Sequence, residues 1–243
     1  MLTPKDYEKL NQFYEENEVF RELFQAIEKD HMLSLSKISH EIRNPVTLIN
    51  GFLQLMAADH PEVHTWRYWN DIMENMAFLR ELLTVLSQYN NAGTLHCSEA
   101  SPYQILNSVI TSLVPSLSEK NITVSFKKLA PVPTFMVDGT KLKEVFLNLF
   151  RNAAEAMPEG GRIRCCIDCD GETVTIRIAD NGTGIPSEYI DGIFEAFVTH
   201  KKDGSGLGLA IASQVIKAHQ GKISVASTEG EGTEFTIELP ILY

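Results

Sequence analysis

His40 sits in the run Ser39-His40-Glu41-Ile42-Arg43-Asn44-Pro45. A neutral imidazole is nucleophilic through Nε2 when Nδ1 carries the proton. A carboxylate accepting that proton fixes the tautomer and steadies the charge that grows as a bond to nitrogen forms. Glu41 is the nearest candidate. Adjacent helical residues diverge, so its side chain must bend round to reach the ring; otherwise it is a solvated helix acid. Asn44 is four residues on and shares a helical face with His40. There it could orient a water for hydrolysis, or serve only in local capping or packing. Pro45 removes a helical N–H and strains the turn that holds Glu41, so a kink is expected at that point.

Three downstream segments carry residue types that a nucleotide requires. Asn148 and Asn152 are four apart, hence on one face of a helix. A carboxamide offers Mg²⁺ a hard, neutral oxygen without adding negative charge beside a triphosphate, although the pair alone is equally a polar helix face. Asp180-Asn-Gly182-Thr-Gly184 follows a strand-like run. A carboxylate at a strand end accepts a hydrogen bond from the adenine amino group, whereas guanine carries a carbonyl there and leaves the carboxylate unpaired. Gly182 and Gly184 are expected to let backbone approach the base, unless they form a plain Asn-Gly turn. Gly204-Ser-Gly206-Leu207-Gly208 opens a helix, whose N–H groups suit a polyphosphate; the bland alternative is a flexible loop. Lys201 and Lys202 could add positive charge, and Lys202 reads equally well as a solvated lysine. Each segment is ambiguous alone. In this order, behind a candidate imidazole nucleophile, they suggest phosphoryl transfer from ATP to His40.

The bulk properties narrow the class. The 243 residues suffice for one large domain or two small ones, with 44% hydrophobic and 22% charged residues in ordinary globular balance. A formal net charge of −11 argues against nucleic-acid binding and against docking on an anionic membrane. No apolar run reaches the roughly 20 residues of a membrane helix, and the N-terminus lacks the pattern of a signal peptide. A cytoplasmic protein with no direct membrane span is expected. Cys166-Ile-Asp-Cys169 has C-x-x-C spacing, but no second pair completes a zinc site.

These residues need elements to position them. Residues 5–57 read as one helix, with Leu10, Phe13, Phe20, Phe24, Ile27, Leu35, Ile38, Ile42, Ile49, Phe52 and Met56 mostly three or four apart. A turn ending at Pro61 leads to a second helix over 62–90, striped by Val63, Trp66, Trp69, Met73, Met76, Leu79, Leu83 and Leu86. One helical hairpin cannot cover both stripes. Two hairpins can, so a homodimer built on a four-helix bundle is predicted. After a linker near Asn90–Gly93, residues 98–243 alternate helices (105–117, 141–157, 207–219) with strands (122–126, 163–169, 173–179, 222–227, 233–239). That pattern is an α+β layer with helices on one face of a mixed sheet. Asp170-Gly171 is a tight-hairpin signal. The domain expectation is a helical extension over 1–30, a hairpin over 31–92 and an ATP-binding unit over 98–243. The histidines other than His40, including His219, are expected at the surface.

From about residue 31 to 240 the chain resembles a sensor histidine kinase of two-component signalling. Ser39 to Pro45 is similar to that family's phospho-acceptor box. NLFRNAAEAM resembles its asparagine box, DNGTGI and GSGLGLA its two glycine boxes, and IFEAFVTHK its phenylalanine box. The short lid between Phe197 and Gly204, with NAAEAMPEGG, is most similar to the sporulation-kinase and nitrogen-regulator-like subgroup. The resemblance implies an all-α dimerisation hairpin followed by a Bergerat-type α+β ATP-binding sandwich. It also implies roles. Asn152 would ligate Mg²⁺, with Asn148 in the same site, and Asp180 would bind adenine. Gly204, Gly206, Leu207 and Gly208 would form the lid over the phosphates, Lys201 would touch them, and Phe194 and Phe197 would anchor the lid. The implied partners are a second copy of the chain, a response-regulator receiver domain and an upstream sensor. Ser205 and His200 replace the commoner threonines. Two rival readings are a phosphorelay or scaffold protein with a vestigial ATP site, and a chaperone- or topoisomerase-type ATPase of the same fold.

Overall fold

The computed structural model describes residues 18–199 and 205–242, with side chains in the first helix from Lys37 onward except that of His40. The chain divides into two units, Met1–Asn90 and Asn91–Tyr243. In the first, helix α1 (Glu18–Asp59) continues through Pro45, which stands inside the helix rather than at an end. The expected helix over 5–17 lies outside the described residues. Helix α2 spans Trp69–Asn90 and packs on α1. The second helix was expected from residue 62. Instead Pro61–Thr65 forms a separate 3₁₀ turn, because Trp66 takes extended angles (φ −70°, ψ 139°) that interrupt the helical path.

The seam of this hairpin is narrow. Ser39, Val46, Val63, Trp69 and Leu83 are buried. Arg43 crosses it, its guanidinium donating to the Leu83 carbonyl at 3.0 Å, and Asn90 Nδ2 donates weakly to Ser39 Oγ at 3.5 Å. Much of the apolar stripe stays uncovered within one chain: Ile42, Leu48, Ile49, Phe52 and Ile72 are exposed, Phe52 to 65%.

The second unit is built on a five-stranded sheet of order β2-β4-β5-β7-β6. Strands β2 (Ile122–Lys128) and β4 (Gly161–Cys169) run parallel; β5 (Thr173–Asp180), β7 (Gly232–Pro240) and β6 (Lys222–Thr228) extend the sheet by antiparallel pairing. A parallel pair needs a crossover, and the helix within it is α4 (Gly139–Glu155). Helices α3 (Pro102–Glu119), α4 and α6 (Gly208–Ala218) lie against the sheet. Alternation decides which face they cover. Ile163, Cys165 and Ile167 of β4 and Val174, Ile176 and Ile178 of β5 are buried, while Arg162, Arg164 and Arg177 point out. The hairpin at Asp170–Gly171 forms as expected, with Gly171 at φ +99° and Asp170 Oδ1 accepting the Glu172 and Thr173 N–H groups.

Two elements escaped the sequence reading. Strands β1 (Ser98–Ala100) and β3 (Phe135–Val137) form a small antiparallel ribbon, each only three residues long. A one-turn helix, α5, covers Ser187–Ile190. The C-x-x-C spacing loses its meaning on β4, where Cys166 and Cys169 fall on opposite faces. Burial, with Cys166 adjoining, pushes the Cys165 thiol up to about 12, and no metal-holding His/Cys/Asp/Glu group occurs among the described residues.

One expectation fails outright: His219 is buried. Counting back from it in fours along α6 gives Val215 and Ile211, both buried, so the ring follows the helix's apolar face. Its Nδ1 donates to the Val215 carbonyl at 2.8 Å, and its Nε2 accepts the Asp138 N–H at 2.9 Å. Burial holds its pKa below the usual imidazole value, against the Val215 bond and the Asp138 carboxylate, which raise it. The unfolded chain therefore binds this proton more readily than the folded one. Stability from His219 is complete above about pH 6.5 and declines as pH falls from there through the folded pKa. The urea midpoint should drop over that window, and the drop should shrink in His219→Gln.

Candidate functional site

Helix α4 organises the site. Asp138 is its N-cap, with Oδ1 accepting the Thr140 and Lys141 N–H groups and Oδ2 accepting that of His96. Buried Leu142, Val145, Phe146, Leu149 and Phe150 fix the roll of the helix against the sheet. That roll leaves Asn148 and Asn152 half-buried on a common face.

The other two motifs meet the same face at either end. A Cβ on Gly208 would lie 2.4 Å from Asn148 Oδ1. A Cβ on Gly182 would lie 2.6 Å from the Ala156 carbonyl, which accepts the Thr183 N–H at 3.0 Å. Asn152 stands one helical turn from each contact, so the Asn helix, the Asp-Gly turn and the glycine turn converge around it. The glycines also make close contacts within the protein. Gly182 packs on α4. Gly184, at φ +67°, packs on the Thr228 carbonyl in the β6–β7 turn. Both set the path of the loop through these protein contacts.

Asp180 ends β5 on the side of the sheet that the helices cover, half-buried. Burial raises its pKa, opposed by N–H bonds from Gly182 (2.8 Å) and Thr233. A carboxylate has about four lone-pair positions, so capacity remains for a ligand's amino group. Asn148 has one buried amide end, assigned as Nδ2, with no hydrogen-bond partner among the described residues. A phosphate oxygen would satisfy that donor, and the same end turned over would present its oxygen to a cation. The two carboxamides therefore fit a metal–phosphate group.

Around the lid, Phe197 N–H donates to the Gly206 carbonyl at 3.0 Å. Gly206 takes φ +67°, and a Cβ there would strike the Phe197 carbonyl carbon at 2.6 Å. Leu207 is buried beside this clamp. Phe194, half-buried, meets Phe235 edge-on at 6.3 Å, whereas the Phe197 side chain is exposed. Lys201, Gly204 and His200 lie outside the described residues, as does the His40 imidazole. Glu41 and Asn44 are exposed on α1 beside buried Ser39.

Residues 137–242 match the family described as histidine kinase-, DNA gyrase B-, and HSP90-like ATPase. Sporulation kinase E of Bacillus subtilis is 33% identical over 205 residues, which is 84% of this chain and 28% of the relative. The catalytic domain of histidine kinase ThkA is 30% identical, covering 61% of this chain and 97% of that one, with a TM-score of 0.56. This chain is a histidine kinase family member. Full-length ShkA in complex with AMPPNP matches 86% of this chain and 46% of its own at 28% identity, TM-score 0.73. ThkA in complex with the response regulator protein TrrA matches 90% of this chain and 66% of its own, at 27% identity and TM-score 0.63. The α+β unit is accordingly the Bergerat-type ATP-binding fold. No helix among the described residues is long and apolar enough to cross a membrane.

The sequence reading missed Asp138 and His219. Asp138-Gly-Thr-Lys141 carried the signal of a helix N-cap. His219 continued the four-residue apolar spacing of α6, which outranked its polarity.

Proposed function

We propose that the chain is an ATP-dependent protein-histidine kinase. The observation that carries this is the convergence of three motifs on Asn152, in a chain whose other unit presents His40 on a long helix. Asn148, Asn152, Asp180, Gly206, Leu207 and Gly208, with Lys201 and Gly204, would hold the nucleotide. Mg²⁺ on the Asn152 carboxamide oxygen would neutralise charge on the phosphates as the terminal bond breaks. The carboxylate of Asp180 would select adenine by accepting a hydrogen bond from its amino group.

His40 Nε2 attacks the γ-phosphorus, the bond to the β-bridging oxygen breaks, and ADP departs with those electrons. Glu41 accepts the Nδ1 proton in a hydrogen bond and stabilises the imidazolium that forms. The phosphoryl group then passes to an aspartate carboxylate of a response regulator, a partner supported by the ThkA–TrrA complex. Asn44, on the His40 face, would orient water against the phosphorylated regulator and give the reverse, phosphatase activity. ATP and that partner place the reaction in the cytoplasm, with the signal arriving from an upstream sensor.

The assay is incubation of the purified chain with γ-labelled ATP and Mg²⁺. Acid-labile, base-stable label on the protein supports the reading. ATP hydrolysis without phosphohistidine would leave an ATPase of the same fold and remove the kinase assignment.

The uncovered stripe on α1 and α2 supports a homodimer through the hairpin, forming a four-helix bundle. A twofold interface uses each residue twice. Phe52→Asp should therefore raise the dimer dissociation constant by about 10²-fold or more, read by analytical ultracentrifugation. An unchanged sedimentation coefficient at all concentrations would remove the interface from this face.

A further inference from the structure

Helices α4 and α6 pack together, and two of their contacts fix how one lies along the other, the first of them at the edge of the proposed nucleotide site. At one end Gly208 lies against the Asn148 carboxamide. At the other, His219 Nε2 accepts the Asp138 N–H at 2.9 Å. Asp138 and Asn148 are ten residues apart, about 15 Å along a helix, and Gly208 and His219 are eleven apart, about 16 Å. The two spans match, so α6 runs antiparallel to α4 and is pinned to it at both ends. The glycine turn stands at one pin and the imidazole at the other.

We propose that His219 is a positioning residue for the nucleotide site: by accepting the Asp138 N–H it fixes where α6 lies along α4, and so where the glycine turn stands relative to Asn148 and Asn152. This rests on the reading that those residues hold MgATP. The geometry that supports it is specific to one tautomer. Nδ1 spends its proton on the Val215 carbonyl, which leaves Nε2 as an acceptor facing a backbone N–H that no water reaches. Asp138 is also the N-cap of α4 and the acceptor for His96, so a shift of α6 is felt at the start of the helix that carries both asparagines. A helix held only by apolar contacts has several registers of similar energy; one directional bond at its far end selects among them.

Two amides separate the parts of this role. Gln at 219 carries an oxygen at the depth of Nε2 and can accept the Asp138 N–H. Asn ends at the depth of Nδ1 and cannot. Titration calorimetry with MgATP, paired with the autophosphorylation KM and kcat, should show His219→Asn weakened about tenfold in Kd and KM and His219→Gln within about threefold of wild type. Ile167→Val, which deletes a methylene from the sheet core, should lower the urea midpoint and leave Kd unchanged. Should His219→Asn not fold, the wild type answers instead: exchange of the Asp138 amide hydrogen should slow when MgATP is added, because coupling between two sites is reciprocal. The positioning role is overturned by His219→Asn binding MgATP as wild type does, by His219→Gln failing as badly as His219→Asn, or by Asp138 exchange that ignores nucleotide. Wild type that binds no MgATP would bring down the proposed function itself, before any variant is compared.

Discussion

His40→Gln takes up no label from γ-labelled ATP, a loss of at least about 10³-fold, because no other group supplies the nucleophile. Its affinity for MgATP should be unchanged, since the residues proposed to hold the nucleotide all belong to the other unit. The two readouts must part for the assignment to stand. Gln keeps the helix and a polar side chain of similar length, so a collapse of α1 would not explain the result; circular dichroism at 222 nm checks that point. Label persisting in His40→Gln would move the acceptor elsewhere and leave the Ser39–Pro45 run as a structural segment. Glu41→Gln should fall between these extremes, retaining attack by Nε2 while losing the charge that steadies the imidazolium.

Asn152→Ala should show the converse pattern: an intact imidazole with no nucleotide to attack. Loss of the proposed metal ligand should cost about 10²-fold or more in Mg²⁺-dependent ATP affinity. The fold should survive, because Asn152 is half-buried on a face whose neighbours Leu149, Phe150 and Ala153 supply the packing. The test is ATP binding with and without Mg²⁺. Wild type should gain affinity from the ion and Asn152→Ala should not. Equal Mg²⁺ dependence in both would place the metal on other residues and return Asn152 to the status of a polar surface group.

The architecture was legible because its signals were periodic. The alternation in β4 and β5 and the Asp170–Gly171 turn survive in the structure almost residue for residue. Helix α4 starts two residues earlier than expected because the Asp138 cap lies ahead of the apolar pattern that marked it. One kind of miss is the polar group whose role is set by what lies opposite. His219 looked like a surface residue because burying an imidazole is costly, and nothing local announces that the Asp138 N–H and the Val215 carbonyl wait to satisfy it. Gly182 and Gly184 advertised freedom of backbone, and only the fold shows what that freedom accommodates. Short β1 and β3 had no period to detect, since three residues make no pattern.

The uneven burial of the two units has a thermal consequence. The α+β unit holds a full layer of apolar side chains and should melt as a unimolecular transition, at one temperature whatever the dilution. Among the described residues the hairpin buries few side chains within its own chain, so on the dimer reading its order is borrowed from a second copy, and its melting is a dissociation. Scanning calorimetry should therefore resolve two endotherms, of which only the helical one slides to lower temperature as the sample is diluted.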